Sequence, residues 1–142
     1  MKEGQIKTTA LGQADYPKLL AEINDPPKVL YYRGDLNICR QPTLAVVGSR
    51  KFSSYGQEVC QQIVGPLARQ GLIIVSGLAL GIDGIAHQTA LDNQGKTIAV
   101  LGSGVDQESV YPANNKQLAR QIVDNGGLII SELPEGAAPT KY

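Results

Sequence analysis

The sequence holds two cysteines, one histidine, one methionine, one phenylalanine and no tryptophan in 142 residues, and its thirteen basic side chains are cancelled by thirteen acidic ones. Each shortage excludes something. Cys39 and Cys60 are too few for a disulfide framework. One histidine and scattered carboxylates do not make a set of metal ligands, so neither a metal nor a cofactor is expected. A net charge of zero gives no global attraction to nucleic acid, and any polyanion site must therefore be local. No apolar run reaches the length of a membrane span, and the polar start MKEGQIK lacks the apolar segment of a signal peptide. A cytoplasmic chain without membrane contact is the expectation. The usual phosphate-binding motifs are missing too. The first turn of the main unit reads GSRKFSSYG, without G-x-G-x-x-G, and G-x-x-x-x-G-K-[ST] does not occur, which disfavours NAD binding and ATP hydrolysis.

What is present is an ordinary globular composition, 42% apolar and 18% charged, in a length that suits one core. The organising stretch is LIIVSGLALGIDGIAH, Leu72 to His87. Leu72 to Val75 suits a strand covered on both faces. Ser76-Gly77 turns the chain. From Gly81 onward Ile82, Ile85, Ala86, Thr89 and Ala90 fall at helical spacing and predict one stripe of a helix packed back on the sheet.

The same transition recurs. Residues 1–42 read as a lead-in segment, with a short helix over Lys18 to Ile23 and a short strand over Val29 to Tyr32. Residues 43–142 read as the main unit, with strands at Thr43 to Val47, Leu72 to Val75, Thr97 to Leu101 and Leu128 to Ser131. A helix from Tyr55 to Gln70 is expected to turn Val59, Ile63, Val64 and Leu67 inward, to bend or break at Gly65-Pro66, and to be capped by Gly71. Another helix is expected over Asn114 to Asn125, with Leu118, Ile122 and Val123 inward. Strand and helix alternate at a period of roughly 28 residues, the size of one right-handed crossover unit. The fold class is therefore α/β, a doubly wound, mainly parallel sheet.

Parallel strands end on one side, which gathers Gly48 to Lys51, Ser76 to Gly81, Gly102 to Asp106 and Ser131 to Pro134 on one rim. Ligands of open α/β sheets bind at that edge. Glycines at strand ends let a phosphate approach the backbone, and helix N-termini favour it there. The candidate anion-binding residues are Gly48, Ser49, Arg50, Lys51, Ser76, Gly77, Gly81, Gly102 and Gly104. Arg50 is the most pointed of them, because a guanidinium just past a strand end can fork to a phosphate. The plain alternative for each glycine is a tight turn and nothing more. Asp83 and His87 stand at i,i+4 on the second helix and are read as supports of the loop beneath the rim. A catalytic reading lacks an accompanying nucleophile.

These residues resemble the DNA-processing A family, DprA/Smf. The stretches that carry the resemblance are GSR at 48–50, YG at 55–56, VSGLALGIDGIAH at 75–87, TIAVLGSGVD at 97–106, YP at 111–112 and SELPEG at 131–136. YPKLLAEINDPPKVLYYRG at 16–34 is similar to the segment preceding that family's Rossmann-like domain. The resemblance implies a non-enzymatic cytoplasmic protein that binds single-stranded DNA during natural transformation, protects it and helps load the RecA recombinase. It places Gly48, Ser49 and Arg50 in the phosphate pocket, with the 76–81 and 102–106 loops beside them. Two departures stand out. The loop from Asp106 to Tyr111 is longer than the family's usual spacing. The chain also stops at Tyr142, where the family continues into a Phe-Pro-x-Arg-Asn-Arg stretch, so it reads as a truncated fragment whose homodimer surface belongs to the full-length protein. The competing enzyme reading is a nucleotide-binding, nucleoside-monophosphate phosphoribohydrolase-like protein, but the P-G-G-x-G-T-x-x-E motif of those enzymes is absent. A third reading is a protein-interaction scaffold with a vestigial rim.

Overall fold

Short β-branched runs bounded by glycine become the inner strands of one sheet, and the amphipathic stretches between them become the helices that cover it. The computed structural model describes residues 5–139, and the end at Tyr142 lies outside them. The strands are β1 (Lys7–Ala10), β2 (Val29–Gly34), β3 (Thr43–Ala45), β4 (Ile73–Ser76), β5 (Thr97–Leu101) and β6 (Leu128–Ser131), in the order β1-β2-β6-β5-β4-β3. β3 to β6 are parallel neighbours, while β2 pairs antiparallel with β6 and β1 antiparallel with β2. The helices are α1 (Lys18–Ala21), α2 (Ser54–Arg69), α3 (Ile82–Asp92) and α4 (Lys116–Asp124).

The mainly parallel α/β sheet follows from the strand–helix alternation, and both of its faces are covered. Alternate residues of a strand point to opposite faces. Ile74, Ala99 and Ile129 pack against α2, α3 and α4 through Val64, Ala86, Ala90, Leu118 and Ile122. Ile73, Ile98, Leu128 and Ile130 face the other way, onto Tyr16, Leu36 and Ile38. The parallel strands follow one another across the sheet without reversal. Right-handed crossovers then stack α2, α3 and α4 side by side on one face, and residues of the first 42 cover the other. That segment joins the same sheet and the same core.

Two local expectations need correction. The inward face of α2 is Cys60, Val64 and Ala68: Val64 is buried as expected, but Val59 and Leu67 lie at the edge of the stripe and Ile63 is 52% exposed. Helical spacing alone allowed either stripe, and packing on α3, where Gly65 lies against Asn93, selects this one. The helix also runs unbroken past Pro66 to Arg69. Pro66 forfeits only its own donation to the carbonyl four residues back, and the helix carries on around that one missing bond. Gly71 does cap the helix: at φ +95° it donates to Ala68 O at 3.0 Å while Leu72 N–H donates to Leu67 O at 3.2 Å, the paired bonds of a Schellman motif. β3 is an edge strand, and Thr43, Leu44 and Ala45 are all exposed.

Candidate nucleic-acid interface

The rim is built by loops that pack on one another before any of them can meet a ligand. Gly81 adopts φ +84°, and a Cβ there would collide with the carbonyl oxygens of Ser49 and Arg50. A Cβ at Gly48 would lie 2.6 Å from that of Ile82. The 48–50 loop therefore sits directly on the start of α3, and Ile82 N–H donates to Ser49 O at 3.2 Å. Ser49 Oγ accepts from Lys51 N–H at 3.0 Å, which turns the chain outward after Arg50.

The turn after β4 is held from beneath. Asp83 Oδ2 accepts from Gly77 N–H at 3.0 Å, and His87 Nε2 accepts from Leu78 N–H at 3.2 Å. Leu78 has φ +60°, a left-handed conformation that costs a branched-chain residue free energy and must be imposed by its surroundings. Asn115 Nδ2 donates to the carbonyls of Leu78 and Ala79 at 2.8 and 3.2 Å. On its other side the His87 ring meets Thr97 Oγ1 at 2.7 Å, and that hydroxyl donates to Ile74 O at 2.6 Å. The Thr97 proton being committed to Ile74, Nδ1 carries the histidine proton and Nε2 is the acceptor. Burial keeps the ring neutral by pushing its pKa down to about 3. His87 is 0% exposed, so no substrate reaches it.

The third loop is tied to the chain after β6. Asp106 accepts from Gly136 N–H at 2.8 Å and from Ser109 Oγ at 2.7 Å, and Gly104 N–H donates to Ala137 O at 3.0 Å. Burial pushes the Asp106 carboxyl up, but the hydrogen bonds from Gly136 and Ser109 outweigh it and hold the group below its usual range.

Between the loops lies a cavity of about 240 Å³, and Arg50, Gly77, Gly102 and Ser103 line it together with Leu80 and Tyr111. Three strand ends thus meet in one depression, and Arg50 is its one basic side chain among the described residues. The other candidates lie elsewhere. Ser76 is buried and its hydroxyl donates to Val46 O at 2.6 Å. Gly48 and Gly81 serve the contact between loops, Gly104 is enclosed by Pro134 and Ala137, and Ser49 and Lys51 are exposed beside the cavity without lining it. The expected set of free amides is also smaller, because Gly77, Leu78 and Ile82 already donate within the protein. Sequence reasoning missed Leu80, Val100 and Tyr111, which are 42%, 50% and 57% exposed on the cavity wall. Val100 had a signal, since residues alternate along a strand and it is the outward position of β5. Among the described residues no three His, Cys, Asp or Glu side chains cluster as metal ligands would, and no helix is long and apolar enough to cross a membrane.

The family model described as DNA recombination-mediator protein A matches residues 7–142. DNA processing protein DprA of Streptococcus pneumoniae is 45% identical over 127 residues, covering 89% of this chain and 44% of that protein. The DprA of Bacillus subtilis is 34% identical over 142 residues, covering 99% of this chain and 47% of the relative. The chain thus spans less than half the length of these curated relatives. Among solved structures, the S. pneumoniae protein superposes with a TM-score of 0.87 at 41% identity over 96% of this chain and 47% of its own. DNA processing protein A of Helicobacter pylori, described for its single-stranded DNA binding mode, superposes with a TM-score of 0.83 at 35% identity, covering 96% of this chain and 60% of its own.

Proposed function

The chain belongs to the DNA recombination-mediator protein A family, and from that premise we propose that it binds single-stranded DNA across the glycine-rich rim, with Arg50 gripping a phosphate. The observation that carries this reading is the convergence of three strand ends on one cavity whose only basic side chain, among the described residues, is Arg50. A guanidinium can bind a phosphate through two parallel hydrogen bonds, and such contacts fix the strand without reading its sequence. Gly77 and Gly102 leave room for the backbone to come close. Asp83 also borders the cavity, and its carboxylate is drawn toward Gly77 N–H. Lys51 adds an exposed charge one residue on.

The protein acts without catalysis in this reading. His87 is buried and neutral, and the carboxylate of Asp83 is engaged by a backbone amide, so neither is disposed to move a proton at a substrate. Asp83 and His87 instead position the turn between Gly77 and Leu80. In the longer protein the bound strand is protected and handed to RecA recombinase during natural transformation, in the cytoplasm, by a homodimer. The family's description supports a role in recombination, and that of the H. pylori relative supports single-stranded DNA as the ligand.

A titration of the 142-residue chain with a fluorescent single-stranded oligonucleotide and, separately, with nucleoside monophosphates tests the reading. Saturable binding of the oligonucleotide, weakened about tenfold in Arg50→Ala, is the expected result, since a charge-assisted contact contributes about 1.5–3 kcal/mol. Turnover of a monophosphate would favour the phosphoribohydrolase-like reading instead. Unchanged oligonucleotide affinity in a folded Arg50→Ala protein removes the rim from the DNA path.

A further inference from the structure

A second depression adjoins the first. It is an open groove of about 430 Å³ between α3 and α4, floored by Gly84 and Ile85 and bordered by Phe52 and Leu80. Leu80 lines both depressions, so the groove continues the rim cavity. Its remaining wall is mostly carboxamides, those of Gln88, Asn114, Asn115, Gln117 and Gln121, with Leu118 between them, and no Lys, Arg, Asp or Glu lines it. The side-chain amides of Asn114, Gln117 and Gln121 have no hydrogen-bond partner among the described residues. Gln88 donates to Asp92 at 2.9 Å, and Asn115 is held by the carbonyls of Leu78 and Ala79.

We propose that this groove receives the bases of a single strand whose phosphates lie on the rim at Arg50. The inference rests on the reading of the rim as a single-stranded DNA site. Its own support is the division of chemistry within one loop. Arg50 faces the cavity and Phe52, two residues on, faces the groove. A cation and a ring so placed, at most about 7 Å apart along the chain, match a polymer in which each charged phosphate carries a flat ring on a short arm. A neutral wall suits uncharged bases and would gain nothing from a phosphate. Carboxamides offer a donor and an acceptor each, as base edges require, and Phe52, 46% exposed, offers a face for stacking. Phe52 is the only phenylalanine in the chain, and it stands at the surface, where an aromatic ring is not explained by core packing.

The test compares two strands of equal length and charge, an oligothymidylate and an abasic sugar-phosphate strand, by fluorescence anisotropy. The native protein should bind the base-bearing strand at least about fivefold more tightly, the low end of what one stacked base supplies. Phe52→Ala, and separately Gln117→Ala with Gln121→Ala, should reduce that preference severalfold while leaving abasic-strand affinity and its salt dependence unchanged. Gln→Ala on a helix does not weaken the helix, and Phe52 lies outside the core, so these variants should keep the native circular dichroism melt. Equal binding of both strands by the native protein, or full preference retained in both variants, overturns the groove and leaves the rim standing. Binding of neither strand overturns the rim itself, and the groove with it.

Discussion

His87 is a polar ring at the centre of an apolar layer, and its two nitrogens explain why it is there. One accepts from the strained Leu78 amide and the other donates to Thr97, so the ring joins the turn after β4 to β5. Burial holds its folded pKa at about 3, below the ordinary 6.5. Between those values the folded protein binds one proton fewer than the unfolded chain. The stability contributed by neutral His87 is therefore complete above about pH 6.5 and is lost as the pH falls toward 3. At one proton the loss is about 1.4 kcal/mol per pH unit, so urea unfolding at pH 5 should show about 2 kcal/mol less stability than at pH 7. His87→Gln, which cannot titrate, should be less stable at pH 7 and should lack that difference. A native protein equally stable at both pH values would show that the ring charges without cost and is not held neutral. The i,i+4 spacing of Asp83 and His87 made their pairing on one helix face readable in the sequence. Their partners were not readable, because Gly77, Leu78 and Thr97 reach them only through the turn and the neighbouring strand.

At the scale of elements, the strand–turn–helix punctuation was legible because glycine marks it, yet the same residue does two different jobs. Gly71 and Gly81 both need positive φ, but a Cβ at Gly71 meets nothing within 4 Å whereas one at Gly81 lies 2.6 Å from Arg50 O. Gly71→Ala should cost only the backbone term, about 1 kcal/mol, and leave DNA binding alone. Gly81→Ala should cost more and should also displace the 49–50 loop, so that oligonucleotide affinity falls with stability. Thermal melts and titrations of the two variants separate these outcomes, and equal effects of both on affinity would show that the loop does not depend on Gly81. Pro66 supplies a third comparison. It is exposed in the last turn of α2, and Pro66→Ala restores a donor and removes a clash without touching the core, so the melting temperature should rise. What the pattern did not reveal about α2 was its buried stripe. Val59 and Ile63 are as apolar as Val64, and only the position of α3 decides that Cys60, Val64 and Ala68 face inward.

At the scale of the whole molecule, the parallel arrangement of β3 to β6 was legible and the place of the first 42 residues was not. β2 enters beside β6 by pairing Tyr31 with Ser131, a contact a hundred positions apart that no local pattern encodes. The rim was legible because parallel strands must end together, and the groove beside it was not, because its wall is assembled from two helices and a loop. Charge can be argued only at this scale. Thirteen cations and thirteen anions leave no net charge, so on the proposed reading a single strand would be held by the few cations placed on its path. Near the rim these are Arg50, which lines the cavity, and Lys51, exposed beside it. Each phosphate contact on a single strand releases about 0.7 of a counterion, so two contacts imply a plot of log affinity against log salt with a slope of about −1.4. Arg50→Ala should bring it to about −0.7, and removing Lys51 as well should bring it close to zero. Bases in the groove, as proposed, would add affinity but no slope, because they carry no charge. A native slope steeper than about −3 would mean that four or more cations meet the strand, more than the described residues of the rim supply, and the DNA path would then have to reach cations beyond them.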